Sequence, residues 1–206
     1  MPALLTCLVG KTLCESPEED HWSLRNKAAM MIAQICTEFG DSYHTLRTRI
    51  TRTLLRAFLD LSKSLTTHYG AITGLSMLGA DVIRVLIVPN IKEYMSLLDI
   101  ELGKKSNTVL INEATRCKQA LLDALARLGE DYKQQHYQQQ QSESRQGQPK
   151  EPRQPSSEAK KQLTELIGVS FARELFKHPD FNYIAPAILQ AEGTTAAAEK
   201  QQQQQQ

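Results

Sequence analysis

One stretch, HYGAITGLSMLGADVIR at residues 68–84, restricts the fold of this chain more than any other. Its large apolar residues recur at the spacing of one helical face: Ile72, Leu75 and Leu78. Small residues between them leave a groove into which a neighbouring backbone can pack: Gly70, Ala71 and Gly74. Gly79 follows this face, where a helix C-terminus favours glycine, and Asp81 can cap the next helix. The stretch therefore predicts a helix, a tight corner and a second, antiparallel helix.

The same pattern of helix and corner recurs along most of the chain. Helix starts are predicted near Ser16, Thr66 and Ser106, which are about 40–50 residues apart, the period of HEAT-type helical pairs. The helix after Ser16 is predicted to turn one apolar face inward: Leu24, Ala28, Met31, Ile32, Ile35 and Phe39. Since a helical pair cannot bury its inner face alone, neighbouring pairs stack. We predict an all-α fold, a HEAT-repeat α-solenoid of antiparallel helical pairs over residues 1–130, with Gly129 ending its last helix.

The composition changes after residue 130, and three further segments are predicted there. Residues 131–156 are rich in Gln, Pro, Ser and charge, and have too little apolar surface to offset the entropy of ordering, so we predict a disordered Gln-rich linker. Residues 157–190 are predicted to form one further helical segment. Residues 191–206, rich in Ala and Gln, are predicted to be a disordered tail.

Charge and cysteine content narrow the class of protein. A formal net charge of +1 over 206 residues makes electrostatic binding of nucleic acid a poor default. The four cysteines include no C-x-x-C pair and mostly fall on apolar helical faces, which indicates reduced thiols in an intracellular protein. No apolar run reaches the ~18 residues of a membrane span, so no membrane partner is predicted.

We find no motif for catalysis, for a metal, for a cofactor or for a small-molecule substrate. The five histidines are scattered, with no H-E-x-x-H and no cysteine at ligand spacing. Gly74-Leu75-Ser76 begins like a nucleophile elbow but lacks its closing glycine. A non-enzymatic protein is therefore predicted, and a hydrolase that uses Ser76 or Cys36 is the alternative to be tested with activity-based probes.

Three groups of residues have both a functional and a structural interpretation. Asp20-His21-Trp22 combines a carboxylate, an imidazole and an indole, but also suits the first turn of a helix. His68-Tyr69 suits either a contact surface or a polar-tipped anchor between repeats. A third group shares one helical face and suits either an acidic partner or a solvated surface: Arg49, Arg52 and Arg56.

Several uncommon strings occur together, in order. With x for any residue, they are DHWxLRxxAA at 20–29, IC at 35–36, LxxRITxTL at 46–54, HYGAIxGLxxLG at 68–79 and DVIR at 81–84, followed by Pro89. In this order and spacing they resemble the C-terminal HEAT domain of TBP-associated factor six, over about residues 1–128. That family supplies a subunit of the general transcription factor TFIID and, in many organisms, of the SAGA coactivator.

The resemblance implies a nuclear scaffold that supports assembly of the RNA polymerase II pre-initiation complex. Its implied partners are other TBP-associated factors and TFIID or SAGA subunits, with self-association and weak or indirect contact with promoter DNA as further expectations. The matching residues that we expect to contact partners are Trp22, Arg25, Arg49, His68 and Tyr69.

The family also has a histone fold ahead of the HEAT domain, which pairs with TBP-associated factor nine. Met1 falls inside a family helix, so we expect the domain to be truncated at its N-terminus. The alternative function is a HEAT-repeat adaptor of another complex, such as a transport or phosphatase scaffold.

Overall fold

A computed structural model describes residues 1–16, 19–40, 42–103, 107–143 and 154–190 of the chain. These ranges are built from helices and contain no strand, which confirms the predicted all-α class. The helices are α1 (Pro2–Val9), α2 (Trp22–Phe39), α3 (Leu46–Leu59), α4 (Leu65–Met77), α5 (Ala80–Val82), α6 (Ile91–Gly103), α7 (Thr108–Glu143), α8 (Ser157–Ile167) and α9 (Val169–Leu175). Residues 181–190 are helical as well.

The chain divides into two compact units. The first comprises Met1–Val82 and Ser96–Ala124. The second comprises Ile83–Met95 and the described residues from Leu125 onward.

In the first unit, α4 is the central helix and contacts α1, α2 and α3. Arg47, near the start of α3, donates a hydrogen bond to the carbonyl of Leu78 just past the end of α4. At the other end, His68 near the start of α4 contacts the carbonyl of Asp60 at the end of α3. Because each helix start meets the other helix's end, α3 and α4 are antiparallel, as a helical pair requires.

The corner that follows α4 has its glycine at the predicted position, but Asp81, predicted to cap the next helix, lies inside α5. Gly79 adopts a positive φ of 119°, a conformation in which a side chain would be strained. The chain then continues through α5 into a π-helical turn, Ile83–Ile87, and a 3₁₀ turn, Val88–Asn90. Pro89 has no N–H to donate, so the regular helix is interrupted here, and the Asn90 side-chain amide donates to the carbonyl of Leu86 at 3.0 Å.

The second unit has a core contributed by α8, α9 and the helical residues 181–190. Its fully buried apolar side chains include Leu163, Ile167, Phe171, Leu175, Ile184 and Ile188. The sequence predicted one helix in this segment, but Gly168, at a φ of 85°, separates α8 from α9. This left-handed residue lets the chain turn between two short helices.

The long helix α7 continues where the sequence predicted its end. Gly129 lies inside α7, and a Cβ at this position would be 2.5 Å from the Cγ1 atom of Ile184. This glycine therefore marks a close approach between helices rather than a helix end. Since α7 runs to Glu143, residues 131–143 of the predicted linker are helical. Residues 144–153 of that linker, and the predicted tail, lie outside the described residues.

Two of the three predicted helix starts lie within two residues of the observed ones, and the first does not. The helix predicted from Ser16 begins at Trp22, and the Asp20 carboxylate accepts hydrogen bonds from the backbone N–H groups of Trp22 and Ser23. The helix predicted near Thr66 begins at Leu65, and Ser64 caps it. The Asn107 side chain caps α7 by accepting from the backbone N–H groups of the second and third helical residues, while Ser106 lies outside the described residues.

The buried face of α2 is rotated from the predicted one. Leu24, Met31 and Phe39 were predicted to point inward, but each is about half exposed. The face that is buried instead comprises Trp22, Arg25, Ala28, Ala29, Ile32 and Cys36. Hydrophobic periodicity scores an arginine as exposed, so a helix that buries one is assigned the wrong face.

Candidate interaction surface

Arg25 is the centre of the group of matching residues, and it is fully buried. Its Nη1 and Nη2 atoms donate to the carbonyl oxygens of Leu8 and Gly10, each at 2.8 Å. Its Nε atom donates to Nδ1 of His21 at 3.1 Å. Burial lowers the pKa of the guanidinium, and the Glu113 carboxylate opposes that shift, so the group stays charged at neutral pH.

Two threonines in the first turn of α4 continue this pattern. The Thr67 hydroxyl donates to the carbonyl of Val9 at 3.0 Å, and the Thr66 hydroxyl donates to the carbonyl of Lys11 at 2.9 Å. Together with Arg25, they donate hydrogen bonds to the carbonyls of four consecutive residues, 8–11, at and just past the end of α1. The carbonyls of Leu8 and Val9, the last two helical residues, are among those that a helix C-terminus leaves without intrahelical partners. We call this arrangement the carbonyl clasp: Arg25, Thr66, Thr67 and the carbonyls of residues 8–11.

Close packing of α4 against α1 accompanies the carbonyl clasp. A Cβ at Gly70 would overlap the carbonyl oxygen of Leu8, so only glycine fits at this position. At Gly74, a Cβ would lie 2.8 Å from Cδ2 of Leu8 and 2.9 Å from Cδ1 of Leu54. The two glycines predicted to form a groove therefore do so, one against backbone and one against side-chain ends.

Trp22 of α2 and Tyr69 of α4 pack against each other and join the two helices. Their ring centroids are 4.7 Å apart in an edge-to-face arrangement, which is one of the geometries that aromatic pairs prefer. The Tyr69 hydroxyl donates to the Asn26 side-chain oxygen at 2.8 Å, and the Arg116 guanidinium lies 5.7 Å from the centre of the indole. Trp22 is 7% exposed and Tyr69 is 8% exposed, so these rings present little surface to a partner.

The two buried histidines have structural partners. His21 accepts from Arg25, and its pKa is lowered by burial and by the charge of that guanidinium. His68 is fully buried and its Nε2 atom lies 3.0 Å from the carbonyl oxygen of Asp60. Since a carbonyl only accepts, Nε2 is the donor, and burial lowers the pKa of the His68 imidazole.

Arg49 lies apart from the other four matching residues. It is exposed on the outer side of α3, where Arg52 and Arg56 are also exposed. Of the five residues predicted to contact partners, the structure brings Trp22, Arg25, His68 and Tyr69 into the interior of the first unit. Arg49 alone remains at the surface.

A comparison with protein families identifies the domain that carries these contacts. Residues 1–92 match the family described as the TAF6 C-terminal HEAT repeat domain, a range that contains the carbonyl clasp and all five matching residues. We call this part of the chain the TAF6 domain, after the family to which it is similar.

Relatives of the chain come from several organisms. The chain is 49% identical over 132 residues to the SAGA complex/transcription factor TFIID complex subunit Taf6 of Schizosaccharomyces pombe, which covers 64% of this chain and 29% of that protein. It is 48% identical over 126 residues to transcription initiation factor TFIID subunit 6 of Arabidopsis thaliana, with 60% and 23% covered. The corresponding Drosophila melanogaster subunit is 44% identical over 93 residues, with 45% and 15% covered. The chain thus spans less than a third of the length of these relatives.

The buried residues of the TAF6 domain include contacts that sequence reasoning missed. Thr66 was predicted only as a helix start and Thr67 was not singled out, because hydroxyls in the first turn of a helix are commonly interpreted as caps. Their separation from residues 9 and 11 in sequence gives no signal of contact, and only the docking of α1 on α4 brings them together.

Among the residues that the structure describes, the TAF6 domain shows no cluster of side chains suited to a metal ion. Within the described ranges, no group of three or more His, Cys, Asp or Glu side chains is placed to hold a metal ion. The Ser76 hydroxyl donates to the carbonyl of Thr73 at 2.8 Å, and Cys36 is buried. None of the described helices has both the length and the apolar composition of a membrane span.

Proposed function

We propose that this chain acts as a non-enzymatic scaffold within the general transcription factor TFIID, in the nucleus. It would support assembly of the RNA polymerase II pre-initiation complex by holding other TBP-associated factors through the outer surfaces of its helices. The support for this proposal is the TAF6 C-terminal HEAT repeat match over residues 1–92, together with relatives named as TFIID subunits.

The burial of the family-matching residues supports a scaffold over an enzyme. Arg25, His21 and His68, which carry the chemistry that catalysis uses, are paired inside the first unit with backbone carbonyls or with one another. A side chain that is held in this way stabilises the fold and is not available to a substrate. What the domain presents to its surroundings is the outer side of its helices, which is typical of repeat proteins that bind other proteins.

Membership of SAGA is a second candidate, because the Schizosaccharomyces pombe relative is named as a subunit of both complexes. Self-association and weak or indirect contact with promoter DNA remain predictions. The relatives give no support to a transport or phosphatase adaptor.

The experiment that tests the proposal is affinity purification of the tagged full chain from nuclear extract, with mass spectrometry of the bound proteins. Recovery of TBP and TBP-associated factors would support assembly into TFIID. Recovery of SAGA subunits without TBP would assign the chain to the coactivator instead. Recovery of neither set would contradict the proposal.

A matched variant makes this purification specific to the folded TAF6 domain. In Gly70→Val, a branched side chain collides with the Leu8 carbonyl, so α1 cannot dock, while the net charge stays the same. The account predicts that this variant recovers far less of the complex than the unmodified chain. Equal recovery would show that the complex is bound outside this domain.

A further inference from the structure

The outer side of α3 carries a concentrated positive charge. Three exposed arginines follow one another at i, i+3 and i+7: Arg49, Arg52 and Arg56. This spacing places them within one arc of the helix, over a length of about 10 Å. From Leu46 to Leu59 the helix contains no Asp or Glu. We call these three side chains the arginine face.

No ion pair with a described residue neutralises the arginine face. The acidic residue next to the helix end, Asp60, is already engaged. Its carboxylate accepts hydrogen bonds from the Ser62 backbone N–H at 3.1 Å and from the Ser62 hydroxyl, and lies 3.6 Å from the Lys63 ammonium. The hydrogen bonds from Ser62 lower the pKa of this carboxyl group. Among the described residues, no carboxylate therefore neutralises the positive charge of the arginine face.

We propose that the arginine face docks an acidic helix of a partner protein, one whose carboxylates recur at i, i+3 or i+4, and i+7. A guanidinium can donate two parallel hydrogen bonds to one carboxylate, and this geometry makes arginine suited to such contacts. Two helices that lie side by side bring side chains with the same repeat into register. This partner is one contact of the scaffold, so the inference rests on the proposed function.

The charge distribution favours an acidic protein over nucleic acid as the partner. Binding to a duplex draws on many phosphate contacts across a broad basic surface, whereas the arginine face offers three and the whole chain has a formal net charge of only +1. Three cations on one helical turn and the next match the length of an acidic helix more closely than the length of a DNA site.

The test measures binding of a labelled, alanine-rich helical peptide with glutamates at i, i+3 and i+7 to the full chain by fluorescence anisotropy. A second peptide carries glutamine at the same positions. We expect the full chain to bind the glutamate peptide at least about tenfold more tightly than the glutamine peptide at low ionic strength. The difference should shrink at about 200 mM salt, because exposed ion pairs are screened.

Two triple variants with the same change in net charge locate the binding site. The first is Arg49→Glu/Arg52→Glu/Arg56→Glu. The control, Lys160→Glu/Lys161→Glu/Arg173→Glu, reverses three exposed cations on α8 and α9. The α3 variant should lose at least about tenfold in affinity for the glutamate peptide, and the control should keep the affinity of the unmodified chain. Unfolding midpoints in urea establish that each variant is folded, and a triple Arg→Gln variant of α3 replaces the reversal if that one is unfolded.

Three results would overturn the inference: equal losses in the two triple variants, equal binding of the glutamate and glutamine peptides, or tighter binding of a 20-base-pair duplex than of the glutamate peptide at about 200 mM salt. The outcome of the purification from nuclear extract does not depend on the outcome of this peptide test. A chain that binds the acidic peptide but recovers no TFIID or SAGA subunit would keep the arginine face and contradict the proposed function.

Discussion

Replacing Arg25 by Met tests whether the carbonyl clasp stabilises the TAF6 domain. Methionine keeps much of the apolar stem of the side chain but removes all of its donors. The carbonyls of Leu8 and Gly10 then lose their 2.8 Å hydrogen bonds, while one of them, that of Leu8, is fully enclosed. The variant therefore separates the contribution of the hydrogen bonds from that of packing.

The expected loss follows from these contacts. Leaving a buried acceptor without a partner costs about 1–3 kcal/mol, which applies in full to the Leu8 carbonyl and only in part to the part-buried carbonyl of Gly10. Removing the guanidinium offsets part of this cost, because burial of a charge is itself unfavourable, as the lowered pKa of Arg25 indicates. We expect the free energy of unfolding to fall by about 2 kcal/mol.

Trp22 provides the assay, because it is the single tryptophan of the chain and lies three residues before Arg25. Its fluorescence in a urea titration reports unfolding of the first unit separately from the second. The matched control is Arg49→Met, an equal change at an exposed arginine, which should alter stability by less than about 0.5 kcal/mol. If Arg25→Met destabilises the first unit no more than Arg49→Met does, the carbonyl clasp does not stabilise the domain.

Three further predictions follow from the same unit, each read from the Trp22 unfolding midpoint. Gly70→Ala should lower the free energy of unfolding by about 1–3 kcal/mol, because the new Cβ collides with backbone atoms. Gly74→Ala should change it by less than about 1 kcal/mol, because the new Cβ meets only the ends of side chains. Equal effects of the two substitutions would contradict the assigned packing. Tyr69→Phe should lower the free energy of unfolding by about 1 kcal/mol, because it removes the hydrogen bond to Asn26. An unchanged free energy of unfolding would show that this hydrogen bond does not stabilise the domain. Because the pKa values of His21 and His68 are lowered in the folded chain, the unfolded chain binds more protons below about pH 6.5, so stability should fall from about pH 7.5 to about pH 5.5. A His44→Gln control, at an exposed position, should keep this pH dependence, and a His21→Gln/His68→Gln variant should lose it.

The helical class and the central corner were predictable from the sequence because they depend on local signals. The apolar spacing around Ile72 and Leu75, and the glycine at position 79, report helix and corner without any knowledge of distant residues. The small residues at positions 70 and 74 also predicted close packing, which the structure places against α1 and Leu54.

The roles of the matching residues were not predictable in the same way. In the sequence, a buried arginine resembles a surface residue until the carbonyls that accept its hydrogen bonds are known. Those carbonyls belong to Leu8 in α1 and to Gly10 just past its end. The same reasoning placed Gly129 at a helix end, although its partner, Ile184, is distant in sequence. Contacts between residues that are distant in sequence determine the roles of Arg25 and Gly129. The local sequence pattern around each residue does not reveal those contacts.

Acrylamide quenching of Trp22 fluorescence in the isolated full chain tests most directly whether the family-matching residues form the interior of the domain without a partner. With Trp22 7% exposed against Tyr69, the expected result is a blue-shifted emission and a quenching constant far below that of the same chain in urea. A quenching constant equal to that of the unfolded chain would contradict the account, since it would mean that Trp22 and its neighbours are exposed until a partner covers them.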